Sequence, residues 1–302
     1  MQAATHRPSS WMVRALQLIA SIRGYNIVVV CLAQVLTAAF IMGAPYPILH
    51  VLLDGNLWGL IIATAASIAG GYIVNNFYDR EKDLINRPRQ TLLEHGIRRN
   101  TLWQVYFALN FIAVGVAALV SLNAALFFSG FIALLWYYSH KIKRFTLVGN
   151  LVAAAIAVLP LFAIFIYYKN FNSVILVHGS LLYMIILLRE WVKDLENLRG
   201  DLAAGYHTIP VSWGIKTSKV FYTIVAALTL VPVSLLLTQY DVGRMDYYFV
   251  FCLTCLVITV PLLWSSRYRR HYLIIHNLLK AIIVIGVLCI VLIGWDALIA
   301  RL

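Results

Sequence analysis

Long apolar runs, separated by short clusters of charge, dominate the hydrophobic pattern of this chain. Nine runs are long enough to cross a hydrocarbon core of roughly 30 Å, which takes about 20 residues of helix. They cover 17–42, 57–77, 101–120, 124–139, 147–168, 173–190, 218–238, 246–264 and 274–296. No room is left for a soluble domain, so an all-α integral membrane protein is expected, a bundle of nine transmembrane helices. The layout also repeats. Helix, helix, acidic loop, helix, helix, basic loop describes both 17–146 and 147–273, with the ninth helix, 274–296, outside the repeat. Duplication of this kind puts a binding site at the interface of two four-helix halves.

Composition agrees: 62% of residues are hydrophobic and 12% charged. A net charge of +12 would invite nucleic acid as a partner, but its distribution points to the lipid bilayer instead. With the amino terminus in the cytoplasm, most of the 24 Lys and Arg residues fall in cytoplasmic connections. Lys169, Arg244 and Arg301 fall on the other side, while Arg23 and Lys280 lie within apolar runs. This is the positive-inside asymmetry of a multi-pass protein of an inner (plasma) membrane, and it accounts for the basicity without nucleic acid. The residues before the first run, with His6 and Arg7, precede no small-residue cleavage site, so the first helix is expected to stay. Cys31, Cys252, Cys255 and Cys289 all fall in apolar runs, where packing between helices explains them better than a disulfide framework.

The acidic residues are distributed differently. Asp79, Glu81, Asp83, Glu94, Glu190, Asp194, Glu196 and Asp201 sit in just two cytoplasmic connections, and charge at a membrane edge is a functional hypothesis by default. On a helix, positions four apart drift by only about 40°. Asn75, Asp79 and Asp83 therefore share one face, with Asn76 at its edge. Glu190, Asp194, Asn197 and Asp201 share another if the second helix continues, while Lys193 and Glu196 point elsewhere. Carboxylates one turn apart repel unless cations offset them. Such faces suit Mg²⁺, which takes hard oxygen ligands and commonly bridges one or two carboxylates to substrate phosphates. Two of them, each backed by Arg and Lys, make a clamp for a diphosphate.

The run "NNFYDREKD" from Asn75 to Asp83, followed by "LINRP", resembles the first aspartate-rich motif of the UbiA superfamily of intramembrane prenyltransferases. "KDLENLRGD" with "GYHTIP" is similar to that family's second motif, "YYSHKIKR" to its loop after the fourth helix, and "RGYN" to the start of its first helix. The four motifs occur in family order across essentially the whole chain. Asn76, Asn197 and His207 depart from the family pattern, where aspartate, aspartate and lysine are common.

The resemblance implies nine helices around a central cavity and transfer of a prenyl chain from its diphosphate. It assigns Asp79, Asp83, Asp194 and Asp201 as Mg²⁺ ligands, with Asn75 orienting a ligand or the diphosphate. Lys143, Arg87 and Lys193 become candidates for the diphosphate or an anionic acceptor. Arg23, Asn26, Asn76 and Asn197 would line the polar chamber, and Tyr138 and Tyr72 would shield an allylic cation with their ring faces. The expected partners are a prenyl diphosphate donor and a lipophilic or phosphate-bearing acceptor. The acidic stretches look most like the digeranylgeranylglyceryl phosphate synthase type, whose acceptor is a prenylated glycerol phosphate; aromatic acceptors such as 4-hydroxybenzoate or dihydroxynaphthoate are the alternative.

Two other classes fit less well. CDP-alcohol phosphotransferases need Asp-Gly-x-x-Ala-Arg, and Asp54-Gly55 is followed instead by Asn56-Leu57-Trp58-Gly59. A secondary transporter would want its acids near the bilayer midplane, reached from both sides, whereas these collect at one edge.

Overall fold

The computed structural model describes residues 11–42, 47–94 and 96–294. Among them, nine helices are long and apolar enough to span a membrane. They are α1 (Gly24–Met42), α2 (Gly55–Asn86), α3 (Arg99–Val120), α4 (Leu122–Arg144), α5 (Val148–Tyr168), α6 (Ser173–Ala203), α7 (Gly214–Thr238), α8 (Gly243–Ser265) and α9 (Arg269–Gly294). This is an integral, multi-pass membrane protein. Arg7, Arg301 and the last residues of the ninth predicted segment lie outside the described residues.

The observed bounds differ from the hydropathy pattern where backbone chemistry intervenes. The first predicted run begins at 17, but the helix Trp11–Ser21 ends within that run and α1 starts anew at Gly24. Between them Arg23 takes the left-handed conformation, φ 49°. The run at 218–238 becomes two helical pieces, Gly214–Leu228 and Leu230–Thr238, joined at Thr229. Pro232 lies in the first turn of the second piece, where a missing N–H is tolerated.

Two helices outrun the bilayer. α2 has 32 residues and α6 has 31, about 48 and 46 Å of helix against a core of roughly 30 Å. Both acidic clusters lie on these extensions, so each predicted face is continuous helix. α2 is fixed at its far end by Asp54, which accepts the N–H of Asn56 at 2.9 Å and the hydroxyl of Tyr167 on α5 at 2.7 Å. It stops at Asn86, where Pro88 disfavours the helical conformation for Arg87, found at φ −144° and ψ 61°.

α2 packs against α1, α3, α4 and α6, and α6 packs against α5, α7 and α9; contacts of α9 with α1 close the ring. Small residues permit the close approaches, as expected where helices associate in lipid. A Cβ on Gly70 of α2 would come within 2.9 Å of the Asn110 amide on α3. Two main apolar cores result. Leu57, Phe128 and Ile164 belong to the core of α1 to α5, while Leu188, Tyr222 and Phe249 belong to the core of α6 to α9. α2 and α6 meet between these cores.

Candidate functional site

The acidic end of α2 and the acidic end of α6 face one another across a cluster of buried polar groups. Asp79, Asp83, Glu190, Asp194 and Asp201 are all buried, as are Lys143 and Asn150. Burial of so many charges requires mutual satisfaction. It is supplied by helices and loops distant in sequence.

Asp79 is the hub. Its Oδ1 accepts the Tyr206 hydroxyl at 2.8 Å and lies 2.8 Å from Lys143 Nζ, while its Oδ2 accepts Asn75 Nδ2 at 2.9 Å. Lys143 also donates to Asn75 Oδ1 at 3.1 Å. One turn on, Asp83 pairs with Arg87 at 2.5 Å. On α6, Asp194 Oδ2 accepts Asn150 Nδ2 at 2.7 Å, and Asp201 pairs with Lys82 of α2 at 2.8 Å. Glu190 is held by Lys193 and by Arg189, the latter at 3.1 Å. The Lys82–Asp201 pair thus ties the two acidic helices directly. Asn86 adds a second tie, accepting the N–H of Gly200 at 3.1 Å. A Cβ on Gly200 would overlap the Asn86 amide and push it out of this hydrogen bond.

The last turn of α4 delivers Lys143, and the loop after α6 delivers Tyr206. After α6, Gly205 adopts φ 66° and the N–H of Tyr206 returns to the carbonyl of Asp201 at 2.9 Å. This glycine-dependent reversal sends the phenol back over α2. The loop after α4 is fastened alongside: His207 N–H donates to the Arg144 carbonyl at 3.0 Å, and the Thr146 hydroxyl donates to the His207 carbonyl at 2.6 Å. The Tyr206 ring lies beneath cations, 4.6 Å from Lys82 Nζ and 5.3 Å from the Arg144 guanidinium carbon. Burial, together with the Asp79 carboxylate, pushes its phenol above the usual tyrosine range.

The other expected residues take varied positions. Asn26 donates to the Tyr72 hydroxyl at 3.0 Å, and Arg23 lies over the Tyr72 ring at 5.2 Å. Tyr138 lies within electrostatic range of Asp79, Glu190 and Asp194. Asn76 turns to the amino-terminal helix, donating to the Ser21 carbonyl at 2.8 Å. Asn197 is half-buried on α6. Glu196 points to α9, pairing with Arg269 and His276, each at 2.9 Å. Lys82, Tyr206, Asn150 and Asn86 were not singled out from sequence. Lys82, Asn86 and Tyr206 lie inside the motif stretches, but only folding shows whom they meet; Asn150 carries no local signal.

Among the described residues, no group of three or more His, Cys, Asp and Glu side chains is arranged to hold a metal ion. Mg²⁺ does not need one, since it keeps several waters and binds through one or two carboxylates plus phosphate oxygens. Asp79 with Asp83, and Asp194 with Asp201, offer such hard-oxygen pairs, and the donor set fits.

Away from this polar end, toward the opposite end of the bundle, a cavity of about 100 Å³ runs between α1, α5, α6, α8 and α9. Its walls are largely apolar, with Ala33, Leu161, Phe165, Ile185, Phe249 and Ile283 among them.

Comparisons with known proteins agree with this architecture. Digeranylgeranylglyceryl phosphate synthase of Thermococcus sibiricus is 28% identical over 223 residues, 74% of this chain and 77% of the relative. The enzyme of the same name from Hyperthermus butylicus is 28% identical over 260 residues, 82% of each chain. Among solved structures, a digeranylgeranylglyceryl phosphate synthase in membranes matches with TM-score 0.67 at 18% identity, covering 92% of this chain and 97% of that one. A UbiA homologue from Archaeoglobus fulgidus bound to DMAPP and Mg²⁺ matches with TM-score 0.63 at 14% identity, covering 90% and 99%. Residues 31–274 match the model of the UbiA prenyltransferase family, and with a nine-helix bundle that gathers both acidic motifs at one end, this chain belongs to that family and is a prenyltransferase.

Proposed function

We propose that the chain transfers a prenyl group from a prenyl diphosphate to the hydroxyl of a prenylated glycerol phosphate. One observation carries the reading: α2 and α6 bring their carboxylates and lysines together, joined by Lys82–Asp201 at 2.8 Å, at one end of a bundle whose interior is an apolar cavity. The curated relatives named for digeranylgeranylglyceryl phosphate synthesis support the acceptor class.

In this reading Asp79, Asp83, Asp194 and Asp201 hold Mg²⁺, which when bound neutralises charge on the diphosphate and aids its departure. Lys143 and Lys82 are already at the carboxylates, within reach of a bridging diphosphate, and stabilise the charge that grows as the donor C–O bond breaks. Asn75 orients Asp79, Asn150 orients Asp194, and Tyr206 fixes the far side of Asp79. The apolar cavity holds the isoprenoid tail and keeps water from the allylic cation. The acceptor oxygen then bonds to the first carbon of the prenyl chain and releases its proton. The distribution of Lys and Arg supports a cytoplasmic amino terminus, with the acidic end on the same side.

The test is diphosphate release by detergent-purified protein supplied with geranylgeranyl diphosphate and Mg²⁺. Geranylgeranylglyceryl phosphate, 4-hydroxybenzoate and dihydroxynaphthoate are offered in parallel, with Asp79→Ala as control. Release with the glycerol phosphate is the expected result. Release with only an aromatic acceptor would replace the acceptor assignment, and release that persists in Asp79→Ala would reject the site.

A further inference from the structure

A second charged cluster lies beside the carboxylate site, where α1, α6 and α9 meet. Lys280 is set well inside α9, yet its ammonium lies 3.8 Å from the centroid of the Tyr25 ring on α1. Arg23 and Arg189 lie within electrostatic range of the same phenol.

Carboxylate accounting leaves two of these three cations, Lys280 and Arg23, unbalanced from within. Glu190 takes both Arg189 and Lys193, and Glu196 is occupied by Arg269 and His276. Among the described residues, no carboxylate pairs with Lys280 or Arg23. The Nε atoms of Arg23 and Arg189 are moreover buried without a hydrogen-bond partner. A buried guanidinium N–H left unsatisfied carries a desolvation cost that a ligand would repay. Lys280, a cation well inside a spanning segment, is not explained by topology as a loop cation is.

The opening suits a ligand that arrives from lipid. Tyr25 is 55% exposed, so the cluster is open on one side. Guanidinium and ammonium groups together match the oxygens of a phosphate, with Arg supplying the planar fork and Lys a point charge.

From this geometry we infer that Arg189, Lys280 and Arg23 form an anion site for a phosphate carried on a lipid, adjoining, through the Arg189–Glu190 pair, the carboxylates that take the donor diphosphate. Two sources share this chemistry: the phosphate of a lipidic acceptor and the headgroup of an anionic bilayer phospholipid. The acceptor arm rests on the proposed function above; the binding chemistry does not.

The experiment uses full-length protein in nanodiscs with Lys280→Gln, Arg189→Gln and the charge-retaining Lys280→Arg. Kinetics are measured with geranylgeranylglyceryl phosphate and with geranylgeranylglycerol, and retained phosphatidylglycerol is counted by native mass spectrometry. If the site takes the acceptor, the Gln variants raise KM for the phosphorylated acceptor about tenfold. In Lys280→Gln the donor KM then stays within about twofold, discrimination against the unphosphorylated acceptor is lost, and Lys280→Arg restores it. If it takes a bilayer lipid, the Gln variants lose bound phosphatidylglycerol with acceptor KM unchanged. Unchanged values in both arms, or equal shifts in donor and acceptor KM, overturn the inference. Absence of turnover with any acceptor in the wild type would sink the proposed function, while lipid retention would still report on this site.

Discussion

Tyr206 donates its hydroxyl to Asp79 at 2.8 Å across 127 positions of sequence, onto the same oxygen that Lys143 approaches at 2.8 Å. A neutral donor and a cation thus fix one carboxylate oxygen and leave the other to Asn75. Tyr206→Phe keeps the ring under Lys82 but removes the hydroxyl, so kcat should fall about tenfold with the protein still folded. Because burial and Asp79 raise the phenol above its ordinary range, the bond contributes stability fully present below about pH 10 and lost as pH rises further. Thermal unfolding should therefore weaken more steeply above about pH 10 in the wild type than in Tyr206→Phe. Parallel profiles would show that the bond does not stabilise the fold.

Asp79→Ala and Asp194→Ala should each lower turnover by roughly a thousandfold or more, while the protein stays monodisperse in detergent. Each removes one half of the proposed clamp. Full activity in either variant would remove that residue from the metal assignment.

Lys143 and Lys169 provide a paired test of position. Lys143 is buried against Asp79, whereas Lys169 caps α5 at the opposite end. Lys143→Ala should raise donor KM about tenfold or more, and Lys169→Ala should change it by less than about twofold. Equal effects would reject the assigned site.

Asn150 donates to Asp194 from a helix start with no acidic motif. Asn150→Ala should therefore lower kcat and raise the Mg²⁺ concentration needed for half-maximal rate, each about tenfold. An unchanged Mg²⁺ requirement would mean that Asn150 does not orient a metal ligand.

Gly179 lines the apolar cavity, and a Cβ added there would meet nothing within 4 Å. Gly179→Leu should take up tail space. The ratio of kcat/KM for geranylgeranyl over geranyl diphosphate should fall about tenfold or more. No change in that ratio would place the tail elsewhere.

Much of the fold was legible because lipid leaves a chain few choices. Spanning backbone must satisfy its own hydrogen bonds, so apolar runs of sufficient length become helices, and nine were readable. The four-residue spacing of Asp79 with Asp83 likewise places them on one face, since helical rotation is a local property. Other features were not local. The break at Arg23 depends on a left-handed backbone within an apolar run, and the extension of α6 through Asp201 was visible only as a condition.

The sequence by itself determined the membrane class, the two acidic faces and the family that they resemble, because each follows from composition, period or motif within one segment. Only the tertiary structure decided the partners. Lys82 belongs to α2 yet neutralises Asp201 of α6, and Asn150 supports Asp194 from α5. Asn76, adjacent to Asn75, turns to Ser21 rather than to Asp79. Coulombic and hydrogen-bond energies depend on distance in space, and helix packing, loop reversal at Gly205 and the Gly200–Asn86 approach set those distances. A one-dimensional pattern shows which charges must be satisfied; packing chooses the groups that satisfy them.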